Sequence, residues 1–291
     1  MEQREAGRST LTEPTPISLP SVSFHQNTLD IRIFDEIDWL GRPIQSTAFE
    51  LLETYFGKFH GSFPIIGKAP FLAQCRAFYS RADAQPGKQW IAILNLVFAI
   101  ATRHLFYVGH CLASHETHVE FFSRAWRLCM DKDALRNHPN LQQVQVEGLS
   151  AFYLLTCGQV NRCALLFLLR LFCCCLFVVL SSVPRSWRTC GAAIGSALAM
   201  GLNIKNESPI SALSKEIRCR MWWALFNLDT LLSTITGRPS RVPQDFCTTR
   251  LPSPCDESAF MSQSVNDADG DRGTLSTVIS RLVAHIPAVG L

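Results

Sequence analysis

No two of the twelve cysteines are spaced C-x-x-C, so neither a zinc ribbon nor a thioredoxin-like dithiol is encoded. Twelve in 291 residues is also too sparse for a disulfide scaffold. They lie scattered through apolar or helical stretches, where a reduced thiol acts as a small hydrophobe, and a reducing compartment follows. Met1–Pro20 lacks an apolar core and is rich in Ser, Thr, Pro and Glu, which excludes a secretory signal. A large excess of either charge is lacking as well. Lys and Arg number 27 against 24 acidic residues, and a net +3 does not by itself mark a nucleic-acid surface. There is no G-x-S-x-G, P-loop, G-x-G-x-x-G or H-E-x-x-H, which removes the nucleophile elbow, the phosphate cradle and the zincin helix. Strand pairs with hairpin turns are absent too. What remains is 47% apolar, ordinary for a globular protein and incompatible with disorder throughout.

What is present is helical periodicity. Residues 1–30, with Pro14, Pro16 and Pro20, read as a flexible leader. From Ile31 onward Phe49, Leu52, Tyr55, Phe56 and Phe59 recur at three- and four-residue steps, until Phe63-Pro64 interrupts the helix. Trp90–Leu105 reads as a largely buried helix, and Thr117–Leu135 and Gln142–Thr156 as further helices. Small residues dominate between Ser186 and Leu202, which would let another helix approach closely. Glu216–Thr236 is a long helix stopped by Gly237 and Pro239. The expected fold is all-α: a multi-helix domain over 31–254, behind a disordered leader. A polar loop and a short helix, Leu275–Ile286, follow within 255–291.

Candidate chemistry is thin. Cys111, His115 and His118 would share one helical face, a conceivable metal geometry, but no fourth ligand is evident and a solvated turn between helices explains them better. Asn266–Asp271 superficially resembles a calcium loop yet lacks the closing glutamate. His60 and Cys157 would be a catalytic pair only if they left the apolar core. Trp222-Trp223 places two indoles about 100° apart, packing against two neighbours. Asp229 follows on the Trp222 face, and Arg238 is the expected partner for so buried a carboxylate. These residues form a scaffold with no reactive group. No catalytic, cofactor or metal residue is assigned, and an enzyme is not expected.

Three motifs, in order, carry a resemblance. Glu216–Pro239 (EIRCRMWWALFNLDTLLSTITGRP) contains Glu216, Arg220, Trp222, Trp223, Asp229, Gly237, Arg238 and Pro239, with Leu251-Pro252 after it. Upstream stand Tyr55-Phe56, Phe59-His60, Phe63-Pro64-Ile65-Ile66 and Phe71. Between them lie Trp187, Gly191, Ala193, Ile194, Ala197, Gly201 and Leu202. Over residues 48–253 the chain closely resembles the fungal-specific transcription factor domain, the all-helical middle homology region of fungal zinc binuclear cluster regulators. Gly67, Gly195 and Asn203 depart from that pattern. The resemblance implies a nuclear transcription regulator controlling a metabolic or biosynthetic gene set. It admits a homo- or heterodimer and a small-molecule effector. The family's DNA-binding module holds two zinc ions on six cysteines, and nothing before Cys75 is a cysteine. Zinc is therefore expected only in a missing N-terminal cluster. DNA contact is expected only through a missing module or a partner protein.

One segment stands apart. Ala164–Val183 is about 20 residues of nearly unbroken apolar sequence, long enough to cross a bilayer. It explains the mean hydropathy of +0.12. Deleting Cys163–Arg185 leaves GQVNRSWRTCG, a natural join by the resemblance, and Arg162 and Arg185 can accommodate splice-site bases. The segment is read as a retained intron. A genuine insertion and a single-pass membrane anchor at 164–183 are the alternatives, the membrane being the lesser expectation.

Overall fold

The computed structural model describes residues 31, 33–34, 37–81, 85–110, 116–129, 138–168, 183–242, 244–255 and 257, with the side chains of all but 158–168, 183–184 and 244. The fold is all-α, as expected, with seven helices and no strand among the described residues. The helices are α1 (Gln45–Lys58), α2 (Lys68–Ser80), α3 (Lys88–Tyr107), α4 (His118–Cys129), α5 (Leu141–Leu168), α6 (Val183–Ala199) and α7 (Ala212–Thr236). One 3-10 turn, Gln244–Phe246, follows. The leader 1–30, the polar stretch beyond Glu257, Asn266–Asp271 and the expected helix Leu275–Ile286 lie outside the described residues.

Helix α3 is apolar on every side, and every residue from Trp90 to Thr102 is buried. A helix without a polar face must be enclosed. Here α1, α4 and α5 pack against it, α6 packs against α5, and α7 packs against both α6 and α5. By length and composition α3 could also cross a membrane, but most of its surface is buried inside the domain.

The helix ends follow local chemistry. At α4, Thr117 and Glu120 form a reciprocal capping box: Glu120 Oε2 accepts from Thr117 N at 2.6 Å, and Thr117 Oγ1 accepts from Glu120 N at 3.3 Å. Asn140 Oδ1 accepts from Gln143 N ahead of α5, and Ser211 Oγ accepts from Ser214 N ahead of α7. Gly201 after α6 and Gly237 after α7 are both left-handed, φ +65°, as helix-ending glycines commonly are.

Four details differ from the sequence expectation. Helix α1 stops at Lys58, a turn before Phe63-Pro64, because Phe59–Phe63 closes a tight turn on Tyr55 and Phe59 carbonyls. Helix α2 was not anticipated, although Phe71, Cys75 and Phe78 carry its stripe; Pro70 sits in its first turn, where no N–H is needed. Helix α5 runs past Thr156 to Leu168, and α7 begins at Ala212, before Glu216, because Ser211 caps it. Helix α4 is described only to Cys129.

Candidate functional site

Two carboxylates on α7, Glu216 and Asp229, are fully buried and organise much of the Glu216–Pro239 motif singled out from the sequence. A buried charge must be paired and hydrogen-bonded to be tolerated. Each is satisfied chiefly by the chain that follows α7, with Arg220 of the helix itself adding to Glu216.

Glu216 Oε1 accepts from Arg220 Nε at 2.8 Å and from Ser253 N at 2.9 Å, and its Oε2 accepts from Arg250 Nη2 at 2.7 Å. The same return segment is fixed through Arg250 C=O, which accepts from Trp223 Nε1 at 2.8 Å and from the Cys219 thiol at 2.9 Å. Arg220 donates on to the carbonyls of Ser253 and Cys255 and lies 3.9 Å from Glu257. Glu257 Oε1 in turn stands 3.6 Å from His60 Nε2, while its Oε2 accepts from Ala69 N at the start of α2. Burial alone would raise the Glu257 pKa, but the His60 and Ala69 hydrogen bonds and the Arg220 charge bring it below the usual range. One chain of charges thus ties α1, α2, α7 and the segment after Leu251 together.

Asp229 Oδ1 accepts from Arg241 Nη1 at 2.8 Å, and its Oδ2 accepts from Arg241 N at 2.8 Å and Ser240 Oγ at 3.0 Å. The partner is therefore Arg241, not Arg238 as expected. The turn at Gly237 carries the chain back along α7, which aims Arg241 at the carboxylate and leaves Arg238 over the Trp187 ring at 4.7 Å. The Arg241 guanidinium itself stands over the Trp187 ring, its Cζ 3.4 Å from the centroid. Trp187 Nε1 donates to Ser233 Oγ, which donates to the Pro239 carbonyl.

The small residues of α6 serve two purposes rather than one. Ala193 and Ala197 are buried, as close helix packing requires. Gly191 instead makes room for a side chain: a Cβ there would stand 2.6 Å from the Arg241 guanidinium. Gly195 has open space, so its size is not used. Equally tight contacts occur at Gly148 and Gly67, where a Cβ would meet the Leu225 side chain at 2.7 Å and that of Ile217 at 2.6 Å. Neither position was singled out from the sequence for packing; only the structure shows what faces them.

The aromatic opening motif forms the floor of the same assembly. Phe56 stacks edge-on to His60 and against Phe71, and Phe59 and Phe63 both pack on Phe152 of α5. Pro64 is half-buried beside the buried pair Ile65-Ile66. Trp222 is fully buried, and Trp223 packs on Phe226 one turn away.

The discarded catalytic and metal candidates have other partners. His60 contacts Glu257 and Phe56, whereas Cys157 sits beside Tyr153, and burial raises its thiol pKa. His118 Nδ1 lies 2.8 Å from the Tyr153 hydroxyl and its Nε2 3.5 Å from Arg103. Cys111 and His115 lie outside the described residues. Among the described residues no three His, Cys, Asp or Glu side chains are grouped to hold a metal.

Residues 52–285 match the model of the fungal-specific transcription factor domain. Over 264 residues, 89% of this chain and 29% of the relative, the sequence is 30% identical to transcription regulator galc of Aspergillus niger. It is 25% identical over 223 residues to transcription factor FBD3 of Gibberella moniliformis, covering 76% of this chain and 26% of that one. Over 78 residues, 26% of this chain and 9% of the relative, it is 35% identical to pyrimidine pathway regulatory protein 1 of Saccharomyces cerevisiae. The chain thus spans less than a third of the length of these curated relatives. No solved structure matches it.

Proposed function

Since the chain belongs to the fungal-specific transcription factor domain family, a family of transcription regulators and not of enzymes, we propose that it is the middle regulatory domain of a zinc-cluster regulator. In this reading it controls a metabolic or biosynthetic gene set through protein contacts and an effector, and it acts in the nucleus. DNA is read by a six-cysteine module outside these 291 residues or by a partner protein, because no C-x-x-C pair is available to hold zinc. The observation that carries the proposal is the use made of the family-motif residues. Glu216, Arg220, Trp187 and Asp229 are each held by one another, by Arg241 or by the return segment, so the motif builds an internal scaffold and leaves the outer surface for partners.

The test is a one-hybrid reporter in a fungal host, with the chain fused to a heterologous DNA-binding domain. A change in reporter output of either sign, lost on breaking the Asp229 pair, is the expected result. An inert, folded fusion would overturn it. A sequence-specific gel shift by the purified chain alone would overturn the DNA part. Recovery in the membrane fraction would favour instead the anchor at 164–183.

A further inference from the structure

Between the α1 approach, the end of α2 and the amino end of α3 lies a cavity of about 470 Å³, unconnected with the two buried carboxylates. That volume lies within the range of small-molecule sites. Its walls are apolar and aromatic, with Trp39, Phe78, Ile91 and Phe98 among them. Two further linings are polar and point to a ligand.

The first is Asn95. Its side chain is 3% exposed, its Nδ2 donates to Ile91 C=O at 2.9 Å, and its Oδ1 has no hydrogen-bond partner. A buried acceptor left unsatisfied costs about 1–3 kcal/mol, so an orphan lining a cavity calls for a donor from whatever fills it. The second is the charge at the rim. Arg42 and Lys88 both line the cavity, no acidic residue lines it among the described residues, and the amino end of α3 stands at the same edge. Arg42 is already oriented, with its guanidinium 4.9 Å above the Phe78 ring and Nη1 3.4 Å from Phe78 C=O. Asp38, close by in sequence, has its carboxylate turned to Leu40 N.

We propose that this cavity binds a small organic anion: an apolar, preferably aromatic body, an acidic head held by Arg42 and Lys88, and one N–H or O–H that donates to Asn95 Oδ1. It gives the effector of the regulatory reading a place and a chemistry. The binding measurement needs only the folded chain, so its failure would leave the transcription reading standing.

The probe is 8-anilinonaphthalene-1-sulfonate, which carries an aromatic body, a sulfonate and one N–H. Its comparison is N-phenyl-1-naphthylamine, the same body without the sulfonate. Saturable fluorescence enhancement by both dyes is expected, tighter for the sulfonate. Arg42→Gln, at an exposed position whose contacts with Phe78 add little to stability, weakens the sulfonate dye by about fivefold and spares the neutral one. Asn95→Leu weakens both by roughly two- to tenfold by removing the acceptor. Ile91→Trp fills the cavity and abolishes both, with far-UV and near-UV circular dichroism checking that each variant is folded. Sulfonate binding unchanged in folded Arg42→Gln and Ile91→Trp would overturn the proposal, as would absence of saturable binding to the wild-type chain.

Discussion

Replacing Asp229 with asparagine keeps the shape of the side chain and removes only its charge and one acceptor. The carboxylate is 1% exposed and takes three hydrogen bonds, two from Arg241 and one from Ser240. Asparagine has one oxygen, so its NH2 must face either the Arg241 guanidinium or the Ser240 and Arg241 donors. Breaking a buried pair costs roughly 3–5 kcal/mol. Arg241, with 23% of its side chain exposed, can shift partly into water, so about 3 kcal/mol is the expected loss. For a domain of this size that lowers Tm by about 6–12 °C. The assay is urea unfolding of Asp229→Asn, Arg241→Met and the double variant. The cycle should return a coupling of about 1.5–3 kcal/mol. Gly191→Ala extends the test. Its new Cβ would press on a guanidinium pinned between Asp229 and Trp187, costing about 1–3 kcal/mol in the wild-type background. In Arg241→Met the clash disappears. Additive effects across the cycle, or a Gly191→Ala cost that survives Arg241→Met, would refute the placement of Arg241 between the carboxylate and the ring.

Other expectations follow from the same geometry. The His118 pKa is pushed down to about 4 by burial and then by Arg103, below its ordinary unfolded value, so the unfolded chain binds the extra proton first. Stability should therefore fall as pH drops from about 6.5 to 4, by about 3 kcal/mol at most, and His118→Gln should flatten that part of the urea-midpoint profile. Burial raises the thiols of Cys75 and Cys219 to about 12 and that of Cys129 to about 11, while Cys255 is exposed. Iodoacetamide at pH 8 should label Cys255 ahead of the other three, and mass spectrometry reads the order; early labelling of Cys75 or Cys219 would contradict their burial. Deleting Cys163–Arg185 should leave Tm within a few degrees. Ser186 Oγ already donates to Ala151 C=O at 2.6 Å, and the five residues Gly158–Arg162, helical in the intact chain, would suffice on unwinding as a helix–helix turn. A deletion protein that unfolds, or a transcript pool in which this stretch is always retained, would speak against the intron reading.

Much of this was legible because helices announce themselves locally. The period of Phe49–Phe59, the capping box at Thr117 and Glu120, and Gly237 before Pro239 are each written within a few residues. The partner of Asp229 was not, since Arg238 and Arg241 both follow soon after α7 and only the path after Gly237 decides that the more distant one reaches the carboxylate. Glu216 was visible as a one-turn pair with Arg220, but its bonds to Arg250 and Ser253 cross 34 and 37 positions and leave no periodic trace. Helix α2 left little trace, because its buried stripe is short, Phe71 and Cys75, and Pro70 occupies its first turn. The cavity at Asn95 was silent altogether, because an orphan acceptor in an apolar run looks in sequence like any other asparagine.

The reach of Glu216 toward later residues also sets an order of events during synthesis. When α7 leaves the ribosome its glutamate has only Arg220 on the chain made so far. Arg250, Ser253 and Glu257 arrive afterwards and close the charge network over α1 and α2. The helical core can collapse early, yet its locked state waits for the last of these residues. A premature stop between Gly237 and Ser253 would thus yield a product that looks nearly whole in sequence while carrying a buried, half-satisfied anion, a species suited to quality-control degradation rather than to partial function.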